Sequence, residues 1–266
     1  MSILPVTDIE SARRREDVLR ELNLYPLWKL RIAPEVVRAA EPSSHALAKV
    51  NIVPTENIVA EIPLVDIGEL SWPDLKKRVK GCTACKLRAG CMQTVFGTGD
   101  EKADWLFVGS WPTEDDETRG EPFAGLAGHL LDNMLAAIKL KRGVNVYLAN
   151  VVKCSGSIKR GPQPEEIAQC SPYLQHQIKL LQPKVIVALG HAAATALLGE
   201  DREWGSLLGK VHGFDGFSAE NVQTAIPLVI THHPAALLLT PLNKAQVWRD
   251  LCLARDTMVS VLNRKI

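Results

Sequence analysis

The sequence predicts an α/β fold, a three-layer α/β/α domain around a mostly parallel central sheet, over residues 69–266, preceded by an N-terminal extension over residues 1–68. Two observations predict it. Short, strongly apolar runs alternate with stretches of helical periodicity, as strands and crossover helices do in such a sheet. The unusual polar residues then gather just beyond the ends of those runs, where open α/β sheets bind their ligands.

The N-terminal segment comes first. Residues 10–24 form a charged amphipathic pattern, with Arg13, Arg14 and Arg15 on the polar side and Val18, Leu19 and Leu22 at helical spacing. Tyr25, Leu27, Trp28 and Leu30 follow across Pro26. A short helix followed by aromatic residues suits a docking peptide, or a helix packed on its own domain. Residues 33–63 are punctuated by Pro34, Pro42, Pro54 and Pro63 and read as a linker with one or two weak strands.

The regular pattern begins at Leu70. Ser71 stands at an N-cap position ahead of Trp72 and Pro73, opening a helix that delivers Cys82 and Cys85. Strands are expected at 105–110, 144–152, 184–190 and 228–231, and helices at 127–140, 165–182, 191–198 and 244–262.

A hydrophobic content of 46% and a charged content of 23% are those of a soluble globular protein. A net charge of +1 leaves any nucleic-acid binding to a local basic patch. No apolar run reaches the ~18 residues of a membrane span, and no signal-peptide pattern opens the chain, so a cytoplasmic location is expected. Six cysteines in such a chain argue for metal or thiol chemistry over a disulfide framework. Cys82 and Cys85 have the two-residue spacing that grips one metal centre. With Cys154 and Cys170 they form a four-thiolate set suited to a structural metal or an iron–sulfur cluster. Cys91 and Cys252 fall outside that pattern.

Three loops at strand ends carry the chemistry. The first runs Gly109-Ser110-Trp111-Pro112-Thr113 into four consecutive acids, Glu114 to Glu117, and on through residues 120–125. Such acids hold a cation or orient a water, or else form a solvated turn. The second is Asn150-Val151-Val152-Lys153-Cys154, and the third Thr231-His232-His233-Pro234. Adjacent histidines in extended chain point apart, so one is expected to be catalytic and one structural.

These residues carry a resemblance. From about Leu70 onward, the chain resembles the iron–sulfur, or family 4, uracil-DNA glycosylases. It shares with them the Cys-x-x-Cys, Val95-Phe96-Gly97-Thr98-Gly99, the loop Gly120-Glu121-Pro122-Phe123-Ala124-Gly125 that closely matches a family Gly-Arg-Pro-Phe-Val-Gly, Asn-Val-Val-Lys-Cys, the set Arg160, Pro162, Pro164 and Glu166, and His233-Pro-Ala-Ala-Leu-Leu. The resemblance implies a [4Fe–4S] cluster on Cys82, Cys85, Cys154 and Cys170. It implies a pocket in which Phe123 stacks on a flipped uracil, Asn150 pairs with its Watson–Crick edge, and His233 donates to a carbonyl oxygen as the glycosidic bond breaks. The resemblance also implies that Asp116 and Ser110 fall at the catalytic centre and Trp111 and Pro112 beside the base, with Lys159 and Arg160 left for DNA phosphates.

The first loop departs from the family pattern. Ser110 replaces a glutamate, Trp111 a small residue and Thr113 a glycine, while Asp116 replaces a second glutamate. Arginines usual in the family are replaced by Cys91, Leu208 and Leu239, and Ser155-Gly156-Ser157 replaces an Arg-Pro-Pro. A bulky Trp111 is expected to obstruct the pocket, and lost cations to weaken DNA binding. Three readings follow: a glycosylase excising uracil from DNA, a scaffold of that fold with weak or no catalysis, or a zinc-binding domain. For the scaffold, the segment around Leu22-Asn23-Leu24 and Trp28-Lys29-Leu30-Arg31 is similar to the start of the clamp-loader psi subunit, which implies a replication complex as partner.

Overall fold

The computed structural model describes residues 67, 69–155, 160–216 and 225–263. They fall within one compact unit, Val59–Ile266. The helix and linker expected before Leu70, and Lys159, lie outside the described residues.

Six strands form one sheet. They are β1 (Thr98–Gly99), β2 (Trp105–Gly109), β3 (Val146–Asn150), β4 (Val185–Leu189), β5 (Val211–Phe214) and β6 (Ile226–Thr231). Their order is β1-β3-β2-β4-β6-β5. The four central strands are parallel, and β1 and β5 close the edges antiparallel. Every residue of β2, β3 and β4 is buried. That is why their sequences are apolar throughout: a parallel strand is covered on both faces by its own crossover helices.

Alternate strand residues feed two cores. Leu106, Val108, Tyr147, Ala149, Ile186, Ala188, Leu228 and Ile230 face one side. There they pack against α1 (Trp72–Lys80), α4 (Pro164–Leu181), α5 (His191–Leu198) and the short α6 (Trp204–Leu207). Phe107, Val146, Leu148, Val185, Val187, Leu189 and Val229 face the other. Their cover is α3 (Leu126–Ala137), α7 (Pro234–Leu239) and α8 (Lys244–Asn263). Strand period two thus produces the three layers directly.

From Leu70 onward, the expected strands and helices all form. Two local expectations are corrected. Ser71 occupies the N-cap of α1, but its hydroxyl donates to Asp74 Oδ2 at 2.5 Å and caps no backbone N–H. The acidic run is no solvated turn. Glu114–Arg119 is a helix, α2, and a capping box at Thr113 and Asp116 starts it. Thr113 Oγ1 accepts from Asp116 N at 3.3 Å while Asp116 Oδ2 accepts from Thr113 N at 3.0 Å. Four acids in its first turn suit the positive end of the helix dipole.

Candidate active site and cluster cavity

The sheet register brings the signature loops together. Gly109, the last residue of β2, lies opposite Asn150, the last of β3. On the other side of β2, Leu189 of β4 pairs with Thr231 of β6, and Gly190 N donates to Thr231 O at 2.8 Å. The loops after β2, β3 and β6 therefore emerge at one edge.

Between the β2 and β6 loops lies a cavity of about 180 Å³, lined by Trp111, Thr113, Asp116, Phe123, Gly125 and His233 among others. It is smaller than the ~300–1,000 Å³ that drug-sized ligands occupy and suits a single flat ring. Phe123 and His233 stack at 5.7 Å between ring centroids with 30° between planes. Asn150 lies just behind them. A Cβ built on Gly109 would fall 2.3 Å from Asn150 Oδ1 and 2.6 Å from Phe123 Cζ, so only glycine fits beneath the pair. Gly190 has the same role under His233: its added Cβ would sit 3.0 Å from the histidine Cβ.

Asn150 is 2% exposed, and neither Oδ1 nor Nδ2 of its carboxamide has a hydrogen-bond partner. A buried amide left unpaired costs on the order of 1–3 kcal/mol, and folded proteins rarely tolerate one without a reason. Its backbone, by contrast, is tied down. Lys153, 2% exposed, donates through Nζ to Asn150 O at 2.8 Å and to Gln177 Oε1 at 2.7 Å. Burial pushes this ammonium down to about 8.

His233 is the N-cap of α7, and its Nδ1 accepts from Ala235 N at 3.1 Å. Burial pushes it down to about 4, against the opposing pull of Asp116. The ring is therefore neutral near pH 7, and with Nδ1 accepting, its proton sits on Nε2. His232 faces away and packs edge-on against Trp204 at 5.2 Å, near the fully buried Asp250. The two side chains point apart, His233 to the cavity and His232 to Trp204.

The other expected site residues fall as follows. Asp116 lines the cavity, but both its oxygens already accept backbone amides, Oδ2 from Thr113 N and Oδ1 from Ala124 N at 2.6 Å. It holds the first loop against the Phe123 loop. Ser110 is buried at the end of β2, where its carbonyl accepts from Val152 N at 3.2 Å. Trp111 borders the cavity without filling it; its ring reaches to 3.5 Å from a Cβ position on Gly161. Pro112 is buried and does not line that cavity. Arg160 forms a two-pronged pair with Glu166 at 2.8 and 2.9 Å and also donates to Gly161 O, so its guanidinium braces the start of α4.

Cys82 and Cys85 follow α1, Cys154 follows β3, and Cys170 projects from α4. All four line one cavity with Val79, Leu87, Val152 and Tyr173. Among the described residues, no three His, Cys, Asp or Glu converge as a single bound ion requires. The donor set is all sulfur, and Ala84 N donates to Cys82 Sγ at 3.5 Å. These residues fit a four-iron cluster. Burial, reinforced by neighbouring sulfurs, pushes Cys154 far up and Cys170 up to about 12, so a metal held there would have to supply the energy of ionising them.

Three residues that sequence reasoning passed over also shape the site. Glu117, 3% exposed, accepts from Met92 N at 3.0 Å and from Ser155 N and Oγ at 2.8 and 2.7 Å. It stitches the segment beyond Cys91 to the segment beyond Cys154. Lys153 carried a signal, since a lysine inside an apolar strand end must find partners. Arg142 carried none.

Fold and pocket define a class, and the comparisons agree with it. The sequence profile of the Uracil DNA glycosylase superfamily matches residues 96–252, and the chain belongs to that superfamily. Within it, the chain is 38% identical over 172 residues to the type-4 uracil-DNA glycosylase of Archaeoglobus fulgidus, covering 64% of this chain and 85% of the relative. It is 35% identical over 179 residues to the type-4 enzyme of Pyrobaculum aerophilum, with 67% and 90% covered. The Thermotoga maritima type-4 enzyme is 44% identical over 123 residues, with 46% and 62% covered. The chain is a member of the type-4 family.

Proposed function

We propose that this protein excises uracil from DNA by hydrolysing the N-glycosidic bond of a flipped nucleotide, with a [4Fe–4S] cluster bracing the fold. The observation that carries this reading is the unpaired, fully buried carboxamide of Asn150 beside the Phe123 ring. Uracil presents an N–H donor next to a carbonyl acceptor, and one amide satisfies both. Cytosine presents the reverse pattern and would leave the amide unpaired at a large penalty.

The division of labour follows from the geometry. A base inside a duplex is out of reach and must be extruded. Leu126 borders the cavity, and Leu238 and Leu239 follow Ala235 by one turn of α7; all three are exposed at 46–86%. They supply an apolar wedge for the gap in the base stack. The amide atoms have no exposed surface, so the Phe123 ring must swing off Asn150 and then stack on the incoming base. Neutral His233 donates from Nε2 to a base carbonyl, where negative charge grows as the bond breaks. Asp116 keeps free lone pairs at the cavity wall, which hold the attacking water and favour cationic character on the sugar. Ser110 and Trp111 border that water and the base. The cluster, held by Cys82, Cys85, Cys154 and Cys170, supplies a cross-link among the end of α1, the segment after β3 and α4; the reacting groups all come from strand ends. Lys159 remains the candidate phosphate contact, and the exposed edge of Arg160 assists it.

The test is excision. Uracil-containing single-stranded DNA should acquire alkali-labile sites, and Asn150→Ala or His233→Ala should remove them. Protein with a full complement of iron that produces none would refute the reading. The cluster is checked on the same preparation: broad visible absorbance with about four irons per chain, lost in Cys154→Ser, against stoichiometric zinc in a colourless protein.

A further inference from the structure

We infer that Arg142 is a positioning residue for the base-stacking ring, acting through the backbone of Phe123; this rests on the reading of Phe123 above. Arg142 lies in the turn before β3 and does not itself line the cavity. All three guanidinium nitrogens donate. Nη1 donates to Pro122 O at 3.0 Å, Nη2 to Phe123 O at 3.1 Å, and Nε to Asp132 Oδ1 on α3 at 2.9 Å. From the opposite side, Asp116 accepts from the next amide, Ala124 N. The peptide after Phe123 is thus gripped at its oxygen by a cation and at its nitrogen by a carboxylate.

That grip has something to oppose. Phe123 has φ +58°, a left-handed conformation that a bulky aromatic residue adopts only when its surroundings impose it. Its carbonyl also occupies the space over Gly128, where a Cβ would fall 1.7 Å from the oxygen. With the backbone fixed, the ring alone is left to move between covering Asn150 and stacking on a base. The planar fork matters: a lysine carries its three donors on one nitrogen and cannot reproduce the spacing of three separate nitrogens that meets two carbonyls and a carboxylate here.

A double-mutant cycle tests this. With Phe123 present, Arg142→Ala should lower kcat/KM on uracil-DNA and weaken inhibition by free uracil by roughly tenfold, the loss of charged hydrogen bonds. In a Phe123→Ala background the same change should cost less than about twofold. Equal losses in both backgrounds would mean general support of the fold and would overturn the inference. If Arg142→Ala fails to fold, Arg142→Lys and Asp132→Asn take its place in the cycle. Substrate-free hydrogen exchange gives an independent readout: amides of residues 121–125 should exchange faster in these variants, and unchanged exchange refutes the clamp. A wild-type protein that neither cleaves uracil-DNA nor binds uracil sinks the glycosylase reading instead, and the exchange measurement still decides the role of Arg142.

Discussion

Replacing Asn150 by leucine should make this protein more stable and inactive. The two side chains branch at the same atom and have the same number of heavy atoms, so the change leaves no cavity, and the bulkier methyls offset part of the gain by crowding. What it removes is a carboxamide that is buried, sealed from water and unpaired at both polar atoms. The desolvation penalty of such a group is on the order of 1–3 kcal/mol. For a domain of this size each kcal/mol moves the melting temperature by roughly 2–4 °C, so Asn150→Leu should melt about 2–12 °C higher. Thermal unfolding followed by circular dichroism measures the gain. Excision of uracil should fall by about three orders of magnitude or more, because a site built to hydrogen-bond its substrate loses both contacts at once. An Asn150→Leu variant that melts lower than the parent would show that the carboxamide has partners in solution. One that keeps its excision rate would show that this side chain does not read the base. Either result refutes the reasoning.

Two further outcomes are expected. Because burial holds His233 down to about 4, excision should stay level from pH 8 to pH 5 as far as this residue is concerned and fall along an acid limb near pH 4; a limb near 6.5, the ordinary histidine value, would place the ring in water. The sign for stability is the same: the contribution of neutral His233 is present above about pH 6.5 and is lost as pH falls through about 4. Glu117→Gln keeps the shape but removes the charge that accepts from Met92 N and Ser155, and should cost about 1.5–3 kcal/mol in urea unfolding; a loss below about 0.5 kcal/mol would show that these contacts contribute nothing net.

Much of this was legible in the chain. Apolar strands such as Val185–Leu189 are uniform because both faces are covered, and the residues beyond them, Asn150 and His233, stand out by being polar there. The Glu114–Glu117 run misled for a physical reason. Charge alone says solvent, whereas a capping box and two distant backbone donors turn Asp116 and Glu117 inward. Trp111 was ambiguous by the same logic: its bulk is in the sequence, but the direction it takes past Gly161 is not.

Spacing and side-chain chemistry, which are local, determined by themselves the layered α/β class, the four-thiol set and the identity of the residues at the strand ends. Only the tertiary structure decided what those residues can do. It placed Gly109 opposite Asn150, left that amide without a partner, fixed the His233 proton on Nε2 through Ala235, and brought Arg142 to the carbonyl of Phe123. Each of these is a contact across strands or layers, and a hydrogen bond or its absence depends on positions in space that no single stretch of sequence encodes.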